Sequence, residues 1–550
     1  VAKSLVRTKA NTCALQLHGC DASLHRLPNG DVSRMRLARC AFGLGTAAVG
    51  GGTAYLVSCE GRGVSDDDDS AATTTAAHTV HTSVGATPTT HVEARIDGVH
   101  IFKVPHLSET AGPGMAMPNM RAKMSNAMGK AIPYVNYIVD DHDFAMADVK
   151  HHVVNVSGKT TTIRSRAFQR AGPRREIYFN PSTVRAAVVT CGGLCPGLNN
   201  VVRNIVQTLR DQYGVGVIYG IRSGWNGFHN GVLPLMLDHD KVEKIHKDGG
   251  SMLGNGRGGF RGHQEKIIEF LTKNNINQLY CVGGDGTHSA ALALQEEITR
   301  RKLPIAVCGI PKTIDNDCAI IDRSFGFDSA VEIAVQAVQS ANVEAESAPN
   351  GVGIVKLMGR HAGFIAAHAT LASGDVDLCL VPEVPIELNG PRGILPYIFS
   401  RVKQNGHALI VVAEGAGEEV LGASAETDGS GHRKLPPIGV FLQKQLAAYA
   451  ATQATDTPLS VKYVDPSYMI RSVPANAGDA VMCLLLAQNA VHGCMSGFTG
   501  FSTGLSNNRV VYIPMKLMVD NSPEQMNPFG RTWERVISST GQPNSADLSR

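Results

Sequence analysis

From Val184 onward, short apolar runs that end in glycine-rich turns alternate with stretches of helical periodicity. A strand followed each time by a helix cannot pair with its successor as a hairpin, so the alternation predicts a parallel sheet with helices on both faces. The expected strands are Val184 to Thr190, Val215 to Ile221, Gln278 to Val282, Ile305 to Ile310, Val352 to Leu357, Leu378 to Val381 and Ala408 to Ala413. Ligands of such sheets bind beyond the carboxyl ends of the strands. Chemistry is therefore to be sought in the loops that follow these runs.

At 550 residues the chain exceeds what one hydrophobic core serves, so two or more domains are expected. Lys and Arg number 51 against 48 Asp and Glu, which speaks against nucleic acid or an anionic membrane surface as partner and makes any anion site local. The 12 cysteines include no Cys-x-x-Cys pair, Cys191 and Cys195 being the nearest couple. That pattern fits reduced, intracellular thiols better than a disulfide framework or a zinc site.

The start of the chain differs in character. Lys3, Arg7, Lys9, Arg26, Arg34, Arg36 and Arg39 stand there against Asp21 and Asp31, and an uncharged run follows from Cys40 to Cys59. This reads as an organelle-targeting or anchoring segment, although Phe42, Leu44, Tyr55 and Leu56 are its few large apolar residues and would make membrane insertion marginal. Asp66 to Asp69 and the Thr- and Ala-rich stretch to about Thr90 lack the apolar content to order themselves, so a disordered linker is expected.

Three loops carry candidate chemistry. Cys191-Gly192-Gly193-Leu194-Cys195-Pro196-Gly197 leads from the first strand into a helix near Leu198, the arrangement by which backbone N–H groups receive a phosphate; a tight turn without ligand accounts for such a loop equally well. Gly283-Gly284-Asp285-Gly286-Thr287 places an acid among glycines, where Asp285 could hold Mg²⁺ on phosphate oxygens or merely cap a helix. Pro311-Lys312-Thr313-Ile314-Asp315-Asn316-Asp317 sets two carboxylates at alternate positions beside a lysine and a hydroxyl. They could divide proton acceptance from metal or water positioning, with Asp315 the candidate base, or form a solvated turn.

Cations come from two further stretches, Gly254-Asn255-Gly256-Arg257-Gly258-Gly259 and Lys356-Leu357-Met358-Gly359-Arg360. Arg257 and Arg360 are read as guanidiniums facing phosphate, a solvated arginine being the alternative for either. The first stretch matches a dinucleotide fingerprint by spacing but follows no clear strand. Ser157-Gly158-Lys159-Thr160 looks like the end of a P-loop, yet Val153 stands where its first glycine belongs. Gly500-Phe501-Ser502-Thr503-Gly504 has nucleophile-elbow spacing, but no histidine follows His492 to complete a hydrolase.

Together these segments resemble the phosphofructokinase family, and within it the plant and trypanosomatid ATP-dependent type. The resemblance runs from about Val104-Pro105-His106-Leu107 to Gly541-Gln542-Pro543. Its most specific parts are Pro311 to Asp317, Ser324-Phe325-Gly326-Phe327-Asp328, Val355 to Arg360 and Ala413-Glu414-Gly415-Ala416-Gly417. The fold it implies is α/β: two similar three-layer αβα, Rossmann-like domains with mostly parallel sheets and an active site in the cleft between them. Laid on this chain, residues 1–95 form the targeting-like and disordered segment and 96–183 an N-terminal extension. Residues 184–327 with about 474–512 form an ATP-binding domain, 328–473 a fructose 6-phosphate domain and 513–550 a C-terminal segment.

The activity implied is transfer of the γ-phosphoryl group of ATP to the 1-hydroxyl of fructose 6-phosphate with Mg²⁺, the committed step of glycolysis. By the same resemblance, Gly193, Arg257, Gly258 and Gly284, Asp285, Gly286 and Thr287 would contact ATP, with Asp285 also the metal ligand. Thr313, Ile314 and Asp315 would face the fructose 1-hydroxyl, Asp315 removing its proton with Asp317 close by. Met358, Gly359 and Arg360 would line the sugar and the migrating group, and Glu414, Tyr468 and Arg471 would hold the sugar phosphate. A cytoplasmic homotetramer is implied, with plastid or mitochondrion as alternatives through the basic N-terminus and membrane contact only through residues 40–59.

Phosphoryl donor divides the family, and the signature here is mixed. Gly286 is the type associated with ATP, since an Asp there would collide with and repel the α-phosphate; Lys312 is shared with diphosphate-dependent relatives, although plant and trypanosomatid ATP enzymes combine the two. Gly351 stands where bacterial enzymes carry an arginine that reaches a neighbouring subunit's sugar phosphate, and no effector residue can be named. Competing readings are a diphosphate-dependent phosphotransferase, a lipid or NAD kinase, and a non-catalytic regulatory subunit. The last should have lost Asp285 or Asp315, and both are present.

Overall fold

All seven expected strands form, as Arg185–Thr190, Val217–Ile221, Gln278–Gly283, Ala306–Pro311, Gly351–Leu357, Leu378–Leu380 and His407–Ala413. In the computed structural model the described residues are 92–96, 99–119, 138–147, 153–156, 159–162, 165–422, 426, 434–453 and 458–546, with backbone alone for 92–96, 153–156 and 159–162. They lie within one compact unit, Val80–Arg550. The expectations of a targeting segment, of a membrane-active run at 40–59 and of a linker to about Thr90 fall outside the described residues, as do Ser157 and Gly158.

Two sheets carry the strands. In the larger, Val217–Ile221, Arg185–Thr190, Gln278–Gly283, Ala306–Pro311 and Phe501–Ser506 lie side by side and parallel. The smaller has the order Leu378–Leu380, His407–Ala413, Gly351–Leu357, Ser460–Val464, parallel throughout. Gln278–Gly283 and Ala306–Pro311 are buried along their whole length, as strands covered on both faces by helices must be.

Alternate residues supply the two faces. Ala186 and Val188 join the core formed with Leu198, Val202 and Leu486, whereas Ala187 and Val189 join the core formed with Ile267, Leu271 and Ala291. The smaller sheet repeats the device: Val352 and Ile354 face Ile394, Ile398 and Ile438, and Val355 and Leu357 face Ala334 and Ala366. Each sheet is thus the middle of three layers, the period of two along a strand serving both helix layers at once.

Antiparallel neighbours flank the parallel centre. Phe501–Ser506 turns back as Arg509–Pro514 through Asn507 and Asn508, both at positive φ (49° and 56°), the geometry in which a two-residue hairpin matches strand twist. The Asp322 carboxylate accepts from both turn amides, at 2.9 and 2.7 Å. Ser502 is therefore a strand residue with 0% exposure and no elbow nucleophile. Ser165–Arg170 and Val99–Lys103 continue the sheet beyond this hairpin. Among the described residues no helix is long and apolar enough to cross a membrane.

Candidate active site

Loops that follow strands of both sheets converge, and glycines allow it. Beyond Arg185–Thr190, the Cys191 amide donates to the Val282 carbonyl at 2.8 Å and the Gly192 amide to the Gly256 carbonyl at 3.0 Å. The Gly193 carbonyl then accepts from Asn255 Nδ2 at 2.9 Å and from Lys312 Nζ at 3.0 Å. A side chain at Gly193 would meet the Arg257 guanidinium at 3.5 Å. Gly193, Arg257 and Lys312, far apart in sequence, therefore form one cationic wall. Gly258 follows Arg257 at φ 74° with open space around it.

The Gly283–Thr287 turn opens the helix Asp285–Arg300 with Gly284 at its N-cap. Here the glycines do different things. A Cβ on Gly283 would lie 2.2 Å from Thr287 Oγ1, because Thr287 is buried beneath the turn, whereas a Cβ on Gly286 would meet nothing within 4 Å. The room beside Gly286 is open to a ligand. Asp285 stands in the first turn of the helix, its carboxyl pushed up to about 6 mainly by burial and further by the nearby Asp317 carboxylate, with Lys312 opposing. A helix N-terminus alone would favour its charge, so burial and like charge dominate.

Lys312 follows the next strand, its amide donating to the Gly283 carbonyl at 3.0 Å. In the turn after it, Thr313 Oγ1 donates to Asp317 Oδ1 at 2.6 Å and accepts from the Asp315 amide at 3.2 Å. Asn316 takes φ 57°, and its Oδ1 accepts from the Ser324 amide at 2.8 Å. Ile314 is buried beneath. Although Asp315 reaches the surface in part, its Oδ1 is enclosed with no hydrogen-bond partner. Burial first, then Asp317 and Glu414, push its carboxyl up to about 8 against the pull of Lys312. An enclosed carboxyl held in this range is suited to proton transfer near neutral pH.

The smaller sheet delivers the opposite wall. Met358, Gly359 and Arg360 follow Gly351–Leu357, with Gly359 at φ 130°. The Glu414 and Gly415 amides donate to the Leu357 and Gly359 carbonyls at 2.9 and 3.1 Å, and a Cβ on Gly415 would fall 2.0 Å from the Arg360 carbonyl oxygen. The approach is so close that only glycine serves there. Burial raises the Glu414 carboxyl, while Lys356, Arg360 and Arg471 draw it down. Glu414 thus lies in the field of three cations and near Asp315.

Arg471 ends the helix Ser467–Arg471, its guanidinium over the Tyr468 ring at 4.8 Å. Tyr468 itself is 76% exposed, in contrast to the enclosed carboxyl groups of the site. Sequence reading missed how these are held. Lys356 is paired with Asp465 at 2.7 Å, and Asp465 accepts from the Ser467 amide at 3.2 Å and its hydroxyl; Asn255 and Ser324 lie in segments singled out from sequence, but with no role of their own there. The Asp465-Pro466-Ser467 turn is the one local signal available in the sequence.

With this geometry in view, comparison with known proteins is decisive. Residues 185–494 match the Phosphofructokinase family. The chain belongs to the phosphofructokinase family. ATP-dependent 6-phosphofructokinase 1 of Arabidopsis thaliana is 46% identical over 452 residues, covering 81% of this chain and 92% of that one. The chloroplastic ATP-dependent 6-phosphofructokinase 4 of the same plant is 44% identical over 82% of each chain. The ATP-dependent enzyme of Borreliella burgdorferi is 45% identical over 68% of this chain and 85% of its own. Among solved structures, the fold matches Pichia pastoris phosphofructokinase with a TM-score of 0.52 at 20% identity, covering 65% of this chain and 37% of that one. A pyrophosphate-dependent phosphofructokinase of Marinobacter aquaeolei matches with a TM-score of 0.53 at 21% identity over 66% and 92%.

Proposed function

We infer that the chain is an ATP-dependent 6-phosphofructokinase, phosphorylating fructose 6-phosphate at the 1-hydroxyl to give fructose 1,6-bisphosphate and ADP. Relatives named for that activity and 44–46% identical over about four fifths of the chain support it. The observation that carries the choice of donor is the open space at Gly286, next to Asp285 and near the cationic wall. It leaves room for a nucleotide where an acidic side chain would exclude one.

In this reading Asp315 accepts the proton of the 1-hydroxyl through its enclosed carboxyl, with the Thr313 hydroxyl bound back to Asp317 so that the turn keeps its shape. Arg257 and Gly193 face the nucleotide with Gly258, Gly284 and Thr287, Arg360 faces the migrating group beside Met358 and Gly359, and Glu414, Arg471 and Tyr468 hold the sugar phosphate. Phosphoryl transfer needs placement and charge more than covalent help. The mutual repulsion of Asp285 and Asp317 is what a divalent cation relieves, so Asp285 with phosphate oxygens fits Mg²⁺. That ion would offset charge on the phosphates.

A homotetramer and a cytoplasmic location complete the reading, with a plastid as the alternative that the chloroplastic relatives suggest. The test is fructose 1,6-bisphosphate formation from fructose 6-phosphate and Mg²⁺, with ATP and diphosphate supplied separately. Product with ATP alone supports the reading, product with diphosphate alone replaces the donor, and no product with either overturns it.

A further inference from the structure

After the helix Met515–Asn521 the chain leaves the larger sheet, into whose cores Met515 and Met518 pack, and reaches the helix Arg531–Thr540, which buries Trp533 and Val536. Beyond that helix the Gln542 side chain acts as a strand neighbour to Leu378–Leu380, accepting from the Cys379 amide at 2.7 Å and donating to its carbonyl at 2.9 Å. Both ends of the intervening segment are thus anchored, one on each sheet.

Between the anchors the segment passes the loop that holds Asp315. The Ala319 amide donates to Ser522 Oγ at 3.1 Å, and the Glu524 amide donates to the Asp317 carbonyl at 2.7 Å. Two residues later the Met526 amide donates to Glu383 Oε1 at 2.8 Å. The same carboxylate accepts from the Gly363 amide, at 3.0 Å to Oε1 and 3.2 Å to Oε2. Gly363 is the N-cap of the helix Phe364–Ser373 and lies just after Arg360; a Cβ there would fall 2.4 Å from Val381 and 3.0 Å from Glu383 Oε2. One carboxylate therefore grips the start of the Arg360-side helix and, through the strap, the backbone of Asp317.

We propose that Glu383 is a positioning residue that, through the strap Ser522–Met526, fixes the separation of the Asp315 loop from the Arg360 loop. The inference rests on the reaction assigned above, in which base and migrating phosphoryl group come from opposite walls. A shift of one ångström between such groups can lower turnover by about 10²-fold, while each wall keeps its own ligand contacts. The signature is a loss in kcat with little change in KM.

Glu383→Ala and Glu383→Gln in the full chain separate this from simple stability. Because Oε1 accepts from both amides, at 2.8 and 3.0 Å, the glutamine keeps those two bonds and loses only the longer contact of Oε2; it should retain most of kcat, whereas the alanine should lower it about tenfold or more, with both KM values within about threefold. Glu524→Pro removes the strap amide that reaches Asp317 while leaving Glu383 and both of its amide partners in place, and should reproduce the kcat loss if Glu383→Ala folds poorly. Unchanged kcat in both Glu383→Ala and Glu524→Pro, or a glutamine as impaired as the alanine, would overturn the proposal. A wild-type chain inactive with ATP would instead remove the functional reading and the proposal with it.

Discussion

The ε-ammonium of Lys312 donates to the carbonyl oxygen of Gly193 at 3.0 Å. Lys312 is thus a brace between two loops, with only 6% of its surface exposed. Lys312→Met should therefore loosen the wall that faces the nucleotide, raising KM for ATP about tenfold, the loss expected for one buried charge-assisted bond. Diphosphate should remain a poor donor. Steady-state kinetics with each donor checks both statements.

Gly286→Asp probes the donor from the other side. Since a Cβ there meets nothing within 4 Å, folding should tolerate the change and Tm should move by no more than about 2 °C. Catalysis with ATP should fall by about 10²-fold or more, as a second carboxylate beside Asp285 repels phosphate. Collapse of Tm would show that the space is smaller than it is here.

Proton transfer through Asp315 has a pH signature. The base must be ionised, and its carboxyl lies at about 8 in the ligand-free site, so kcat/KM for fructose 6-phosphate should rise with pH and level off above that value. Asp317→Asn removes a charge that raises it and should move the rising limb to lower pH. Lys312→Met removes the opposing charge and should move the limb higher. Limbs that shift in the reverse sense would contradict the assignment.

The same carboxyl should weaken the ligand-free fold. Its folded value is raised above the ordinary 3.8, so the unfolded chain releases the proton first and stability falls as pH rises from about 4 to about 8. Asp315→Asn should remove that loss, raising Tm at pH 9 by about 2 °C while abolishing turnover. The advantage should shrink toward pH 4, and thermal melts at both pH values measure it.

Seven strands were legible because each is a short, mainly apolar run closed by a glycine-, proline- or Asp-rich turn. Ser460–Val464 was not, since it carries Lys462 and is half-exposed at the edge of its sheet. Phe501–Ser506 was hidden by Ser, Thr and Gly in a buried strand, although Asn507-Asn508 is a hairpin signal. Within the site, the glycine loops and acidic turn could be read locally, because strand ends must deliver them to one edge of each sheet. Glu383 could not. Its partners Gly363 and Met526 lie far away in sequence, and nothing local distinguishes it from a surface polar group; Asp465 shows only its turn with Ser467, while Lys356, the cation it holds, is equally distant.

Asp315→Ser, assayed for both turnover and binding, tests the central claim most directly. Turnover with ATP should fall by about 10³-fold or more while fructose 6-phosphate binds within about threefold of wild type, because a base acts chiefly in the transition state. Near-normal turnover in a folded variant would contradict the account and remove Asp315 from the chemistry.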